Sequence, residues 1–134
     1  MPPVVLDTDV ASSIIKLSSG CAHRSPKLIG KQEALTLVTI GELTKWSVMR
    51  NWGTTRRTAL DRWIADRPPI PFTEEVARTS SELSGYADKR GRPRPVNDTW
   101  IAACCLTFGV PLATLNVGDF QDFVDHEGLQ VVTM

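Results

Sequence analysis

The sequence predicts an α/β fold with a mainly parallel sheet and helices on both of its faces. Short apolar segments rich in β-branched residues alternate along the chain with segments of helical periodicity, which is typical of such layered folds. The 134 residues, of which 42% are apolar and 22% charged, fit one globular domain spanning residues 1–134. No segment approaches the roughly 18–20 uninterrupted apolar residues of a membrane-spanning helix, and the N-terminus lacks a secretory pattern.

The first elements follow from a change of periodicity near the N-terminus. Residues 3–6 (PVVL) suit a short buried strand, and residues 10–17 then repeat apolar side chains at helical spacing. The segment 18–31 contains Gly, Ser, Pro and Lys, so we expect a loop there. Residues 34–40 (ALTLVTI) are predicted to form the second strand, because such residues suit a buried sheet.

The middle of the chain is predicted to contain two helices and a short strand. Thr39 and Glu42 have the spacing of a capping box, so we expect a helix to begin there and to run to about Trp52. A second helix over 54–66 ends before two consecutive prolines. Residues 70–72 are expected to form a third strand.

The last part of the chain is predicted to contain two helices and two strands. A helix over 73–89 begins with a threonine cap and two acids that suit the helix dipole. Asn97 is expected to cap a helix over 98–108, which the next glycine ends. Residues 111–115 and 129–133 form the remaining predicted strands.

Charge is distributed unevenly along a chain of zero net charge. Residues 50–94 contain ten basic and six acidic residues, whereas residues 96–134 contain five acids and neither Lys nor Arg. A basic surface beside an acidic one suits a protein that acts on nucleic acid, with the basic residues on phosphates and the acids on metal. A charged, solvated surface is the alternative interpretation.

The cysteines and histidines favour neither a disulfide framework nor a zinc site. Cys21, Cys104 and Cys105 form no C-x-x-C motif, and their number is odd. His23 and His126 are too few and too far apart in sequence for a histidine metal site. We therefore expect a reducing cytoplasm, with the cysteines of the apolar segment 100–108 acting as small hydrophobic residues.

Four acids fall where the predicted topology places function. Asp7 follows the first strand, Glu42 the second, Asp98 begins a helix and Asp119 comes after the fourth strand. Function in such folds gathers beyond the carboxyl ends of the strands, so a shared site is expected, although each acid has an alternative role in a cap or turn. Clustered carboxylates require a neutralising cation, and oxygen ligands suit Mg²⁺ or Mn²⁺. The pattern predicts metal-dependent hydrolysis of a phosphate ester.

The acids lie within four short motifs, which are weak separately and specific together. They are LDTDV at 6–10, TIGEL at 39–43, NDTWIAA at 97–103 and TLNVGDF at 114–120. In this order and over nearly the whole chain, they resemble the PIN-domain ribonucleases, most closely the VapC toxins of bacterial and archaeal toxin–antitoxin pairs.

The resemblance implies a three-layer α/β/α sandwich and a Mg²⁺- or Mn²⁺-dependent endoribonuclease that cuts RNA, with structured tRNA or ribosomal RNA as plausible targets. It also implies products with 5′-phosphate and 3′-hydroxyl ends, a homodimer, and a small antitoxin whose tail covers the active site. By this likeness the metal-binding quartet is Asp7, Glu42, Asp98 and Asp119, with Thr8 and Asn116 in supporting positions.

Some residues near these motifs have two interpretations. Asp9 stands where relatives often carry Asn or Ser, and we favour a helix cap over a metal ligand. Arg90, Arg92 and Arg94 precede the third motif, so they either hold RNA phosphates or belong to a solvated loop. Core or protein-contact roles are favoured over base stacking for three tryptophans on predicted helices, namely Trp46, Trp52 and Trp63.

Two other functions are compatible with parts of the pattern. A haloacid-dehalogenase-type phosphatase would use Asp7 as nucleophile and Asp9 as general acid/base, but the late acidic motif is one residue short and a lysine motif is missing. A non-catalytic PIN-like module that binds RNA or protein is the other alternative, and the four intact acids argue against it.

Overall fold

The computed structural model describes residues 1–18 and 26–134. The strands of this part are β1 Pro3–Leu6, β2 Gln32–Thr36, β3 Pro69–Ile70, β4 Leu112–Thr114 and β5 Val131–Thr133. The α-helices are α1 Thr8–Ser18, α2 Leu37–Met49, α3 Thr54–Ala65, α4 Glu74–Lys89, α5 Val96–Phe108 and α6 Val117–Glu127, and a short 3₁₀ turn spans Pro26–Leu28.

The five strands form one parallel sheet in the order β3-β2-β1-β4-β5. Strand β1 is central, and Val5 pairs with Ala34 of β2 on one side and with Leu112 of β4 on the other. All strands run the same way because helices carry the chain back between them. The carboxyl ends of β1, β2 and β4 therefore meet at one edge of the sheet.

Buried side chains alternate between the two faces of the sheet. Val4 and Leu6 pack with residues of α1, α2 and α3, whereas Val5 packs with residues of α4, α5 and α6. This alternation follows from the two-residue period of a strand. The three layers confirm the predicted α/β/α sandwich with a parallel sheet.

The boundary between β2 and α2 differs from the prediction. The strand ends at Thr36, whose hydroxyl accepts a hydrogen bond from the Thr39 amide at 3.2 Å and so caps α2. The predicted strand over 34–40 and the capping box of Thr39 with Glu42 were therefore wrong. A short apolar segment suits a buried strand and a buried helix equally, so its periodicity does not fix this boundary.

Other helix ends confirm or correct the sequence expectations. Thr73 caps α4 through the Val76 amide as predicted, and Gly109 ends α5 with a left-handed φ of 64°. Helix α5 begins before Asn97, which is not its cap. Helix α6, over residues that were predicted only as a turn or helix start, was missed.

The remaining expectations concern the cysteines, the histidines and the membrane. Cys104 and Cys105 are buried free thiols, as expected for small hydrophobic residues, and burial raises the pKa of Cys104 to about 11. Cys21 and His23 lie outside the described residues. Within residues 1–18 and 26–134, no helix combines the length and the apolar character needed to cross a membrane.

Candidate active site

Asp7 lies at the carboxyl end of the central strand and is 8% exposed. Its Oδ1 accepts a hydrogen bond from the Thr8 amide at 2.8 Å, and its Oδ2 accepts one from the Thr114 hydroxyl at 2.8 Å. Burial raises the pKa of Asp7 to about 6, and the negative charges of Asp9 and Asp98 add to the effect. The structure therefore holds a carboxylate where its negative charge is unfavourable.

Thr8 connects Asp7 to the second predicted acid. Its hydroxyl donates to Glu42 Oε1 at 2.9 Å and lies 3.0 Å from the hydroxyl of Thr39. Glu42 is in the second turn of α2, beyond the cap, so its carboxylate is free of the capping role that the sequence allowed. This hydrogen bond fixes the position of Glu42 relative to β1, and the supporting role that the resemblance implies for Thr8 stays a prediction.

Asp98 is the third residue of α5 and is half-buried. The pKa of Asp98 is raised to about 6, mainly by burial and then by the negative charges of Asp119 and Glu42. The positive charge of Arg94 acts in the opposite direction and lowers this pKa. These effects place Asp98 within electrostatic range of the other acids. We call Asp7, Glu42, Asp98 and Asp119 the acidic centre.

The fourth acid lies at the start of α6. Asp119 is exposed in the first turn of this helix, and its amide donates to the Asn116 carbonyl at 3.1 Å. The Asn116 side chain donates to Asp9 Oδ2 at 2.7 Å, and the Leu115 amide donates to Asp9 Oδ1 at 3.4 Å. Asp9 therefore holds the loop between β4 and α6 instead of capping α1, which corrects the expectation for this residue.

The acids are near one another without forming a closed metal cage. In the part of the chain that the structure describes, no three His, Cys, Asp or Glu side chains converge closely enough to hold an ion between them. The interaction among the acids is the repulsion that raises the pKa of Asp7 and Asp98. The centre is thus an open group of oxygen donors with an excess of negative charge.

The three loop arginines do not share one role. Arg90 donates to Asp122 at 2.6 Å and to Glu127 at 3.3 Å, so its guanidinium joins the end of α4 to α6. Arg94 is close enough to Asp98 to lower its pKa, and Arg92 is exposed. Arg90 is therefore held by carboxylates of α6, whereas Arg94 lies beside the acidic centre, and the RNA-binding role expected of the three arginines stays a prediction.

Two threonines next to the acidic centre were not among the predicted site residues, one in direct contact with it and the other in contact with Thr8. Thr114 is fully buried at the end of β4, donates to Asp7 and accepts from the Asn116 amide at 3.0 Å. Thr39 contacts the hydroxyl of Thr8. The signal for Thr114 was a polar residue that ends a buried strand and begins the fourth motif, whereas Thr39 had been assigned to a cap.

The fold and the site together define a class of protein. A parallel α/β/α sandwich with acids from four segments at the carboxyl edge of its sheet has the PIN-like arrangement that the four motifs implied. Comparison with known proteins identifies the family within this class.

The chain is 31% identical over 127 residues to Ribonuclease VapC5 of Mycobacterium tuberculosis, covering 92% of this chain and 87% of VapC5. It also resembles the solved VapBC-5 toxin–antitoxin structure from the same organism, with a TM-score of 0.72, 25% identity and complete coverage of both chains. VapBC2 of Rickettsia felis, solved with a DNA fragment from its promoter, has the same fold, with a TM-score of 0.82, 17% identity and 98% coverage of each chain. No protein-family model matches the sequence.

The chain belongs to the VapC family, the ribonucleases of VapBC toxin–antitoxin systems. This membership confirms the resemblance drawn from the four motifs. It also removes the phosphatase alternative, in which Asp7 would be a nucleophile.

Proposed function

We propose that this VapC-type toxin ribonuclease is an endoribonuclease that hydrolyses an RNA phosphodiester with Mg²⁺ or Mn²⁺ at the acidic centre. The observation that supports this proposal most is the raised pKa of both Asp7 and Asp98, which lie on different elements and share acidic neighbours. Burial of two carboxylates beside further acids is unfavourable until a cation neutralises them, and this is typical of a metal site.

The donor set of the acidic centre fits these ions. All four side chains offer carboxylate oxygens, which Mg²⁺ and Mn²⁺ prefer over the nitrogen and sulfur ligands of zinc. Mg²⁺ keeps several waters and is usually held by one or two carboxylates, so a closed cage of protein ligands is unnecessary. Asp7 and Asp98 would hold the ion, with Glu42 and Asp119 completing the charge around it.

Different residues of the chain have different roles in the reaction. Thr8 and Thr114 hold Glu42 and Asp7 by hydrogen bonds, so these carboxylates are oriented before RNA binds. The guanidinium of Arg94 provides a cation beside Asp98 for the phosphate backbone. When bound, the metal supplies a water of lowered pKa and stabilises the charge that develops on the phosphate oxygens.

The test is incubation of the purified, antitoxin-free protein with total cellular RNA in Mg²⁺ or Mn²⁺. We expect discrete cuts with 5′-phosphate and 3′-hydroxyl ends, mapped by sequencing, in structured tRNA or ribosomal RNA. EDTA and the Asp98→Asn variant should remove at least 99% of the cleavage, whereas Asp61→Asn, which changes an exposed acid on α3, should cut normally. Ends with 2′,3′-cyclic phosphate would contradict this mechanism, and the absence of cuts by folded protein would favour a binding module.

We further propose that the cognate antitoxin binds a groove between α1, α2 and α3. This tryptophan groove has a volume of about 200 Å³ and is lined by Ile15, Leu43, Leu60 and three tryptophans, which lie in α2, in α3 and between these helices. Guanidinium groups lie over each indole ring, at 5.2 Å for Arg50 over Trp46, 4.1 Å for Arg56 over Trp52 and 3.9 Å for Arg67 over Trp63. An apolar floor with a basic rim suits an antitoxin segment that carries apolar and acidic side chains.

The test of this groove is the affinity of the cognate antitoxin for two variants. Leu60→Arg introduces a charge on a residue that is 3% exposed at the floor, and Arg56→Glu reverses the charge of the rim. We expect Arg56→Glu to weaken the complex at least 10-fold in calorimetry while RNA cleavage by the free toxin is unchanged. Equal affinity of this variant and the unaltered protein would contradict the proposed location.

The homodimer and the cytoplasmic location implied by the sequence are also part of the proposal. Both rest on family membership and, for the location, on the buried free thiols of Cys104 and Cys105. Light scattering of the purified toxin is expected to give the mass of two chains, and a monomer over the working concentration range would contradict the dimer.

A further inference from the structure

A small surface pocket adjoins the acidic centre on the side of α2 and α5. The α2–α5 pocket has a volume of about 290 Å³ and is lined by Leu37, Val38, Gly41, Glu42, Lys45 and Asn97. Glu42 belongs to the acidic centre, and Asn97 precedes Asp98 in the chain. The pocket and the acidic centre therefore share a wall, and a polymer whose phosphate lies at the centre extends over the pocket.

The chemistry of the pocket combines an apolar floor with two polar groups. Leu37 is 42% exposed and lies beside Val38, so an apolar surface is open to solvent at this place. The ammonium group of Lys45 makes no ion pair with the described residues, and the Asn97 amide offers both donors and an acceptor. These features suit a nucleotide, whose base has a planar apolar face and hydrogen-bonding edges and lies next to a phosphate.

Gly41 keeps this pocket open. It lies inside α2, where glycine costs helix stability relative to alanine. A Cβ built on Gly41 meets no atom within 4 Å, and its backbone does not have a positive φ. Neither packing nor backbone conformation requires a glycine at this position. What the missing side chain does is leave the pocket open.

We propose that the α2–α5 pocket binds one unpaired nucleobase of the RNA, next to the phosphate that is cut. The inference rests on the proposed ribonuclease function and adds a recognition subsite to it. A volume near the lower limit of roughly 300 Å³ for small-molecule sites suits a single base. RNA-binding proteins read unpaired bases through hydrogen bonds to the base edges, and here the apolar side chains of Leu37 and Val38 take the place of the aromatic ring on which such a base usually stacks. A base in this pocket makes cleavage depend on single-stranded RNA at that position.

The test crosses changes in the protein with changes in the RNA. The RNA is an oligonucleotide that spans a mapped cleavage site, together with a series in which one nucleotide at a time is abasic. The proteins are the unaltered chain, Gly41→Leu, which fills the pocket, and Gly85→Leu as a control, because a Cβ at this glycine of α4 also meets no atom within 4 Å. KM and kcat are measured with metal, and binding of uncut RNA is measured by fluorescence anisotropy in EDTA.

With the unaltered protein, one abasic position beside the cut should raise KM by between about 2-fold and 12-fold, the range expected from loss of one hydrogen bond to the base. Gly41→Leu should raise KM for intact RNA by a similar factor, and the same abasic position should then have no further effect. Gly85→Leu should behave like the unaltered protein. Thermal unfolding should show that Gly41→Leu is at least as stable as the unaltered chain.

Four results would overturn the inference. Gly41→Leu could cut intact RNA normally, or keep the full penalty for the abasic position, and either result would show that no base occupies the pocket. A change from dimer to monomer in Gly41→Leu, detected by light scattering, would show that a second copy covers it. If the unaltered protein cuts no RNA, the proposed function itself fails and the subsite fails with it.

Discussion

Replacing Asp7 by asparagine is expected to make the metal-free protein more stable while it stops RNA cleavage. Asp7 is 8% exposed, and burial raises its pKa from 3.8 to about 6. Its negative charge therefore opposes folding at neutral pH. Asparagine has nearly the same shape, keeps the acceptor for the Thr8 amide and can donate to the oxygen of Thr114 in place of the present bond.

The size of the effect follows from the shift in pKa. A rise from 3.8 to about 6 corresponds to roughly 3 kcal/mol of unfavourable free energy when Asp7 is fully charged in the folded protein, at about 1.4 kcal/mol per pKa unit. We expect Asp7→Asn to recover about 2 kcal/mol of this, because the Thr114 hydroxyl loses its charged acceptor.

The sign of the pH dependence is fixed by the direction of the shift. The folded protein binds this proton more tightly than the unfolded chain, so the destabilisation is complete above pH 6 and disappears as the pH falls towards 4. The free-energy difference between Asp7→Asn and the unaltered protein should therefore shrink over this range.

The measurement is urea unfolding of both proteins in EDTA at pH 7.5 and at pH 4.5. Asp61→Asn serves as the control, since it changes an exposed carboxylate. The reasoning is refuted if Asp7→Asn is no more stable than the unaltered protein at pH 7.5, or if its advantage is the same at both pH values.

Three other substitutions test different parts of the structure. Arg90→Met should lower the urea midpoint of unfolding, because it leaves Asp122 without its partner, and equal midpoints would contradict this. Gly41→Ala should increase the free energy of unfolding by about 1 kcal/mol, because alanine favours the helix and its Cβ meets open space. A lower temperature of thermal unfolding would contradict this. Thr8→Val should lower RNA cleavage by about 10- to 100-fold, because Glu42 loses its hydrogen bond, while circular dichroism stays unchanged; normal kinetics would exclude the supporting role.

The sequence determined the order of the strands and of the first five α-helices and the presence of a parallel sheet, because apolar periodicity and turn residues act locally. The helix over 73–89 and the end of α5 at Gly109 were predictable for this reason. The end of β2 was not, since the segment 34–40 suits a strand and a helix, and only the Thr36 cap decides between them.

The four acids were identifiable from the sequence because each follows a predicted strand or begins a predicted helix. Their electrostatic interaction depends on the tertiary structure, because Asp98 and Asp119 repel each other from two helices that are separate in sequence. The same holds for Thr114, whose hydroxyl reaches Asp7 across 107 positions of the chain.

The roles of the charged residues also depend on both the sequence pattern and the tertiary structure. The sequence grouped Arg90, Arg92 and Arg94 because they are neighbours, and nothing local distinguishes them. The fold brings Asp122 and Glu127 of α6 to the guanidinium of Arg90 and leaves Arg94 beside the acidic centre. The position of a charged residue in the sequence does not determine its partners. The fold determines them, because Coulombic energy depends on distance in space.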